Sequence, residues 1–391
     1  MSAAQTLIHS ARLVTSGRVI ENGWVLFDGD QVAAVGEGSR PAWPTDADPS
    51  RVSGTVTIDA GGRWLTPGFI DIHCHGGGGA VFDEDADGIA TALEVHRRHG
   101  TTRSVLSLVT APLASLEHQL GVIADTVATD PLVLGAHVEG PFLDVRQKGA
   151  HDPALLRPPD PDSIEGLLAA GRGCIRQVTL AAELPGGMAA IRQFVDAGVM
   201  VAVGHSDASY DAARAAFDAG ASILTHAFNG MRGIHHREPG PVAAATHTPG
   251  VTLEVINDGV HVHPEVVRLA FAGAPGRVAL ITDAMAAAGS VDGEYTLGSL
   301  RVVVVDGIAR LADGGSIAGS TLTLDVALQK AVTSVGLPVE IAVQALTQTP
   351  ARAIGRAHDL GRLEAGYAAD AVLFEPDFTV AGVWAAGLRL R

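Results

Sequence analysis

Between residues 69 and 283 one pattern repeats: a short apolar run, usually followed within two residues by an ionisable side chain. The runs are Phe69–Ile72, Ser104–Val109, Leu132–Val138, Arg176–Ala181, Val199–Val203, Ser222–Thr225, Thr252–Ile256 and Arg277–Ile281. Helical stretches such as Ile89–Arg98 and Ala208–Asp218 lie between most of them. Buried strands alternating with helices are the pattern of βα units. Eight parallel strands with crossover helices predict an α/β fold, a closed (β/α)8 TIM-like barrel in preference to an open sheet.

A barrel takes up about 250 residues, so a chain of 391 has room for a smaller unit besides. Residues 1–65 alternate β-rich runs with turns, and Asp28-Gly29-Asp30 carries a hairpin signal. From about Leu360 the strand–turn pattern returns, most clearly at Asp370–Phe374. The expected organisation is a small β-sandwich domain built from 1–65 plus 360–391, flanking the (β/α)8 barrel at 66–359.

Hydrophobic residues make up 47% of the chain and charged residues 18%, which supports a large core and excludes a disordered chain. A net charge of -16 excludes a broad nucleic-acid surface, which requires a basic footprint. Cys74 and Cys174 make no disulfide framework. The N-terminus lacks a charged region followed by an apolar stretch, and no apolar run reaches membrane-spanning length. A soluble cytoplasmic protein without membrane association is expected.

Barrel active sites form at the carboxyl ends of the strands, where the βα loops converge. There this chain places His73 and His75, Glu139, Glu183, His205, His226, Asp258 and Asp283. Side chains alternate along a strand, so His73 and His75 share a side and bring two nitrogen donors to one point. Cys74 between them points the other way, as a small packed side chain. His137 shares the face of Glu139 and is read as a core or supporting residue. His96, His99, His118 and His358 fall on helical stretches and are expected at the surface. A two-metal site requires a bridging ligand, and neither Lys148 nor Lys330 ends a strand, so a carboxylate has to serve. Position alone leaves Glu139 and Glu183 both eligible. Asp283 is placed to act as general base and then general acid, although an Asp ahead of Ala-Met-Ala-Ala also suits a helix cap.

The runs Gly204-His205-Ser206, Thr225–Met231, His235–Gly240, Asp258-Gly259-x-His261, Thr282–Met285 and Ala318–Thr323 resemble the N-acetylglucosamine-6-phosphate deacetylase family. The tail pattern Gly361-x-Leu363-x-x-Gly366-x-x-Ala369-Asp370 is similar to one that recurs across the amidohydrolase superfamily. The resemblance spans essentially the whole chain. It implies that Glu139, His205 and His226 hold one divalent ion, foremost Zn, with Fe, Mn or Co also suited. His73 and His75 would hold a second ion that some members lack. It implies further that His151, in Lys148-Gly149-Ala150-His151, contacts the acetamide carbonyl, while Asn229, Gly230, Arg237 and His261 meet the sugar phosphate. Gly230 stands where many relatives carry Ala. In a family-like homodimer, Arg237 would reach the neighbouring subunit's site. The implied reaction is hydrolysis of N-acetylglucosamine 6-phosphate to glucosamine 6-phosphate and acetate, in amino-sugar catabolism or cell-wall recycling. Rival readings are another amidohydrolase acting on a related N-acyl sugar or cyclic amide, and a non-catalytic barrel.

Overall fold

The computed structural model describes residues 5–38, 56–83 and 85–391. Eight strands form one sheet in sequence order: β1 (Phe69–Cys74), β2 (Thr101–Val109), β3 (Val133–Glu139), β4 (Ile175–Leu180), β5 (Met200–Val203), β6 (Ile223–Leu224), β7 (Thr252–Ile256) and β8 (Val278–Ile281). The pairings from β2 to β8 are parallel. Every residue of β1, β2 and β3 is buried, as strands covered on both faces require. The ends of the sheet meet just beyond β8. There the Asp283 N–H donates to the His73 carbonyl at 2.9 Å, and the Thr282 hydroxyl donates to Asp71 at 2.6 Å. The (β/α)8 barrel expected from the eight apolar runs is the observed fold.

The helices begin where the local chemistry directs. Asp160 precedes Pro161–Gly171 and accepts the Ser163 N–H, with proline in the first turn where its missing donor costs nothing. Ser209 caps Tyr210–Asp218 in the same manner through Ala212.

By compactness the chain divides into two units. One consists of Asp71–His96 and Arg103–Thr323, and the other of Met1–Ile70, Arg97–Thr102 and Leu324–Arg391. Helices Leu324–Thr333, Val339–Leu346 and Gln348–Ala353, read from the sequence as barrel, group with the terminal unit. That unit carries a continuous sheet of eight strands drawn from both chain ends, mostly antiparallel. Its core gathers Ile8, Leu13, Val25, Phe27, Leu65, Leu373 and Trp384. The hairpin read at residues 28–30 is present: Asp28 pairs with Gln31 across a turn in which Gly29 takes φ +62.

The barrel unit also holds a three-stranded antiparallel sheet after β8, formed by Gly293–Leu297, Leu300–Val305 and Ile308–Leu311. Its second turn is Asp306-Gly307, both at positive φ, which suits a tight hairpin. It packs Leu297, Val302 and Val304 with Val109, Ala150 and Met285.

Candidate active site

The strand-end residues converge. A cavity of about 160 Å³ is lined by His75, Glu139, Gly149, His151, His205, His226, Asn229, Gly230, His261 and Asp283, with Val109, Leu297 and Ile317 among its apolar walls. His73 lies fully buried just behind it. Three of these residues leave their strands in the left-handed region: His205 at φ +45, His226 at φ +24 and Asp283 at φ +48. Non-glycine residues adopt that conformation at a cost of roughly 1–3 kcal/mol, and such strain concentrates at functional sites. Here it turns three side chains sharply at their strand ends.

Two sets of donor atoms meet on Glu139. In the first set, Nε2 of His205 and Nε2 of His226 are 3.0 Å apart and lie 3.3 and 3.1 Å from Glu139 Oε1. Their Nδ1 atoms face carbonyls, Gln147 O at 2.8 Å and Asn229 O at 3.1 Å. A carbonyl only accepts, so in the neutral rings the proton sits on Nδ1 and each Nε2 presents a lone pair. Three acceptors then face one another, an arrangement that a cation stabilises. In the second set, Nε2 of His73 and of His75 are 3.2 Å apart. Glu139 Oε2 is 3.1 Å from His75, and Asp283 Oδ1 is 3.5 and 3.4 Å from the two rings. Ligands of a tetrahedral ion stand about 3.3–3.6 Å from one another when each is about 2.0–2.2 Å from it. Both sets have close to that spacing, so the residues present fit two divalent ions sharing Glu139. Imidazole with carboxylate suits Zn, Fe, Mn or Co.

The electrostatics describe a site awaiting positive charge. Burial disfavours a charged His73, yet the carboxylates of Glu139, Asp283 and Glu254 raise its pKa well above the ordinary value. Burial likewise opposes protonation of His75, but Asp283 and Glu139 bring its pKa up to about 9. Against their own burial, Glu139 and Asp283 are pulled below the usual carboxylate range, mainly by His73 and other site histidines. His137 and His151 move the other way. Burial first, then neighbouring histidines, lowers both well below the ordinary value.

The other predicted residues divide into those at the cavity and those away from it. The His151 ring stands 4.4 Å from that of His205, and its Nδ1 is 2.8 Å from the Thr110 hydroxyl. His261 lines the cavity with Nδ1 2.6 Å from Asp258, so Asp258 serves His261 and does not join the donor sets. A Cβ on Gly230, at φ +58, would lie 2.9 Å from Nδ1 of His205, and one on Gly149 would lie 2.9 Å from the same ring. The His205 imidazole is thus flanked closely by two glycine backbones. Glu183 accepts from the Ser206 hydroxyl at 2.6 Å and from the Asp207 N–H at 2.5 Å, holding the chain after β5 and not reaching Glu139. Arg237 does not line the cavity. It is exposed on a separate cleft of about 430 Å³ with Tyr210, Arg232 and Glu238.

One sequence expectation changes. His96 is buried, not at the surface, with Nε2 2.8 Å from the Gly76 carbonyl and 3.3 Å from Cys74 Sγ. Glu254 and Gln177 also emerge as inward-facing polar residues on β7 and β4, fully buried. Glu254 Oε2 lies 3.0 Å from His73 Nδ1, and Gln177 donates to Glu254 Oε1 at 2.7 Å. A lone acid inside the apolar run Thr252–Ile256 was the available signal. The run Ala318–Thr323 braces Asp283: the Ser320 N–H donates to the Asp283 carbonyl at 2.7 Å, and its hydroxyl donates to Thr282 O at 2.6 Å.

An amidohydrolase family model matches residues 64–390. The chain belongs to the amidohydrolase family. Among curated relatives it is 40% identical to N-acetylgalactosamine-6-phosphate deacetylase of Escherichia coli O157:H7, over 83% of this chain and 86% of that one. It is 38% identical to N-acetylglucosamine-6-phosphate deacetylase of Vibrio furnissii, over 83% of this chain and 82% of that protein. A solved mutant of the Mycobacterium smegmatis N-acetyl-D-glucosamine-6-phosphate deacetylase, in complex with N-acetyl-D-glucosamine 6-phosphate, superposes with TM-score 0.93. It is 42% identical, covering 99% of this chain and 100% of that one. The resemblance read from the sequence motifs is borne out by these relatives. Among the described residues no helix is long and apolar enough to cross a membrane.

Proposed function

We propose that this chain hydrolyses the acetamide of N-acetylglucosamine 6-phosphate, giving glucosamine 6-phosphate and acetate. The observation that carries the reading is the convergence of Glu139, His205, His226, His73, His75 and Asp283 at one barrel mouth, in a chain whose relatives carry that activity in their names.

Glu139, His205 and His226 would hold one divalent ion, and His73, His75 and Asp283 with Glu139 a second. Such an ion supplies Lewis acidity and lowers the pKa of a coordinated water to about 7. Asp283, held below the usual carboxylate range, is ionised at neutral pH and so presents an accepting oxygen to the attacking water. It takes the proton of the attacking water and passes it to the departing amine. Burial keeps His151 neutral, so it meets the acetyl carbonyl as a hydrogen-bonding group without bringing a second positive charge. Val109, Leu297 and Ile317 provide apolar wall for the acetyl methyl. Asn229, the Gly230 N–H and His261 receive the phosphate, with Arg237 supplied by a second copy of this chain in a homodimer. A sugar phosphate is retained by its charge in the compartment where it is made, so the activity belongs in the cytoplasm, in amino-sugar catabolism or cell-wall recycling.

The 40% identity to a deacetylase named for the galactosamine epimer supports a second reading, in which the 4-epimer is the preferred substrate. Steady-state kinetics decides among them. N-acetylglucosamine 6-phosphate is expected to exceed unphosphorylated N-acetylglucosamine and cyclic amides in kcat/KM by about 10²-fold or more, as lost phosphate contacts of several kcal/mol imply. Equal turnover with and without phosphate overturns the proposal, and a higher kcat/KM for the galactosamine compound selects the second reading.

A further inference from the structure

We propose that Glu254 is a positioning residue: it holds His73 in the tautomer and orientation that an ion at the second position requires, and ties that position to the first through the His226 backbone. The inference rests on reading the two donor sets as metal positions.

Glu254 sits in the middle of β7, one layer below the cavity, and is fully buried. Three N–H groups surround its carboxylate. Gln177 Nε2 donates to Oε1 at 2.7 Å, while Oε2 accepts the His226 backbone N–H at 3.3 Å and faces His73 Nδ1 at 3.0 Å. A carboxylate so placed accepts, so the His73 ring proton is drawn to Nδ1 and the Nε2 lone pair is left for the cavity side. The ring is also held edge-on by His137, 4.5 Å between centroids. His137 is itself fixed between the Ser107 and Thr179 hydroxyls at 2.9 and 2.8 Å. By contrast, His75 Nδ1 is buried with no hydrogen-bond partner among the described residues, so the orientation of the second pair depends on His73. The bond to the His226 N–H supports a residue held at φ +24, in the strained left-handed region.

Glu254→Gln keeps the shape and reverses one hydrogen-bonding end. Whichever way the amide lies, its NH2 meets either the Gln177 NH2 or the His73 and His226 N–H groups. The reciprocal pair Gln177→Glu with Glu254→Gln restores the match, since the new amide can donate to residue 177 and still accept from His73. The test titrates chelator-stripped full-length protein with Co²⁺, reading bound equivalents and dissociation constants, with circular dichroism to verify folding. Glu254→Gln is expected to weaken the ion at the second position about 10–100-fold and the ion at the first, through the His226 N–H, by clearly less. The double variant is expected to recover part of that loss, which a role in packing volume alone does not produce. Unchanged constants in folded Glu254→Gln overturn the proposal, as does equal loss of every ion with no recovery in the double variant. A parent protein that binds no Co²⁺ overturns instead the metal reading beneath it.

Discussion

The two donor sets around Glu139 are built by different means. At His205 and His226 the outer ring nitrogens rest on main-chain carbonyls, Gln147 O and Asn229 O, and glycine backbones at 149 and 230 press on the His205 ring. At His73 the support is an acidic side chain, Glu254, and at His75 the outer nitrogen has no hydrogen-bond partner among the described residues. Backbone carbonyls do not titrate and move only with their loops. The first position is therefore prepared by the fold, whereas the second depends on buried charge. This difference predicts a tighter, less adaptable first position and a second whose occupancy varies with conditions.

Removing the shared Glu139 carboxylate would break both sides at once. Glu139→Ala is expected to lose both ions and to lower kcat/KM by about 10³-fold or more, the loss of several kcal/mol of transition-state stabilisation. Elemental analysis beside steady-state kinetics checks it, and retention of one tightly held ion shows the sets to be independent. A selective lesion comes from Gly149→Ala. Its Cβ would crowd His205 at a φ that costs about 1 kcal/mol for a non-glycine residue. Affinity at the first position is expected to fall about tenfold, with the second unaffected in Co²⁺ titration. Equal weakening of both sharpens the picture toward one coupled site.

The smallest effect is in the pH dependence of stability. With no ion bound, His75 has its pKa raised from 6.5 to about 9 by Asp283 and Glu139 against its burial. A raised pKa means protons bind the folded state more tightly than the unfolded chain. That contribution is fully present below about pH 6.5 and is lost as pH rises through about 9. Chelator-stripped protein is thus expected to lose melting temperature between pH 7 and 9. Ion-loaded protein is expected to resist that loss, because ions and protons compete for the same atoms. Parallel profiles for the two forms remove the competition from the argument.

The barrel and most of the site were legible because their signals are local. Eight apolar runs of strand length announce eight strands, and a polar residue just past such a run falls at the barrel mouth. The spacing His73-x-His75 is a period-two pattern that needs no tertiary knowledge. What stayed hidden depends on contacts distant in sequence. Glu254 reads as an impurity in an apolar strand until His73 of β1 is seen 3.0 Å from its carboxylate. His96 was misread although Ile89, Ala92, Leu93 and His96 follow the spacing of a buried helix face, and all four are buried. The sheet after β8 is signalled by Asp306-Gly307 between the β-rich run Leu300–Val305 and Ile308–Leu311, a local hairpin cue. The positive φ values at His205, His226 and Asp283 have only a weak sequence signature: Asp and His enter that region more often than other non-glycine residues, but still in a small minority of cases.

The hydrogen bond from the Asp283 N–H to the His73 carbonyl joins the end of the last barrel strand to the end of the first. On the ribosome the residues of the two donor sets therefore emerge at different moments. Glu139, His205 and His226 all exist once residue 226 has emerged, while the second set waits for residue 283 and for the circle of strands to meet. A newly made chain has its first ligand set complete before the seam exists, and its second only when there is no more barrel left to make.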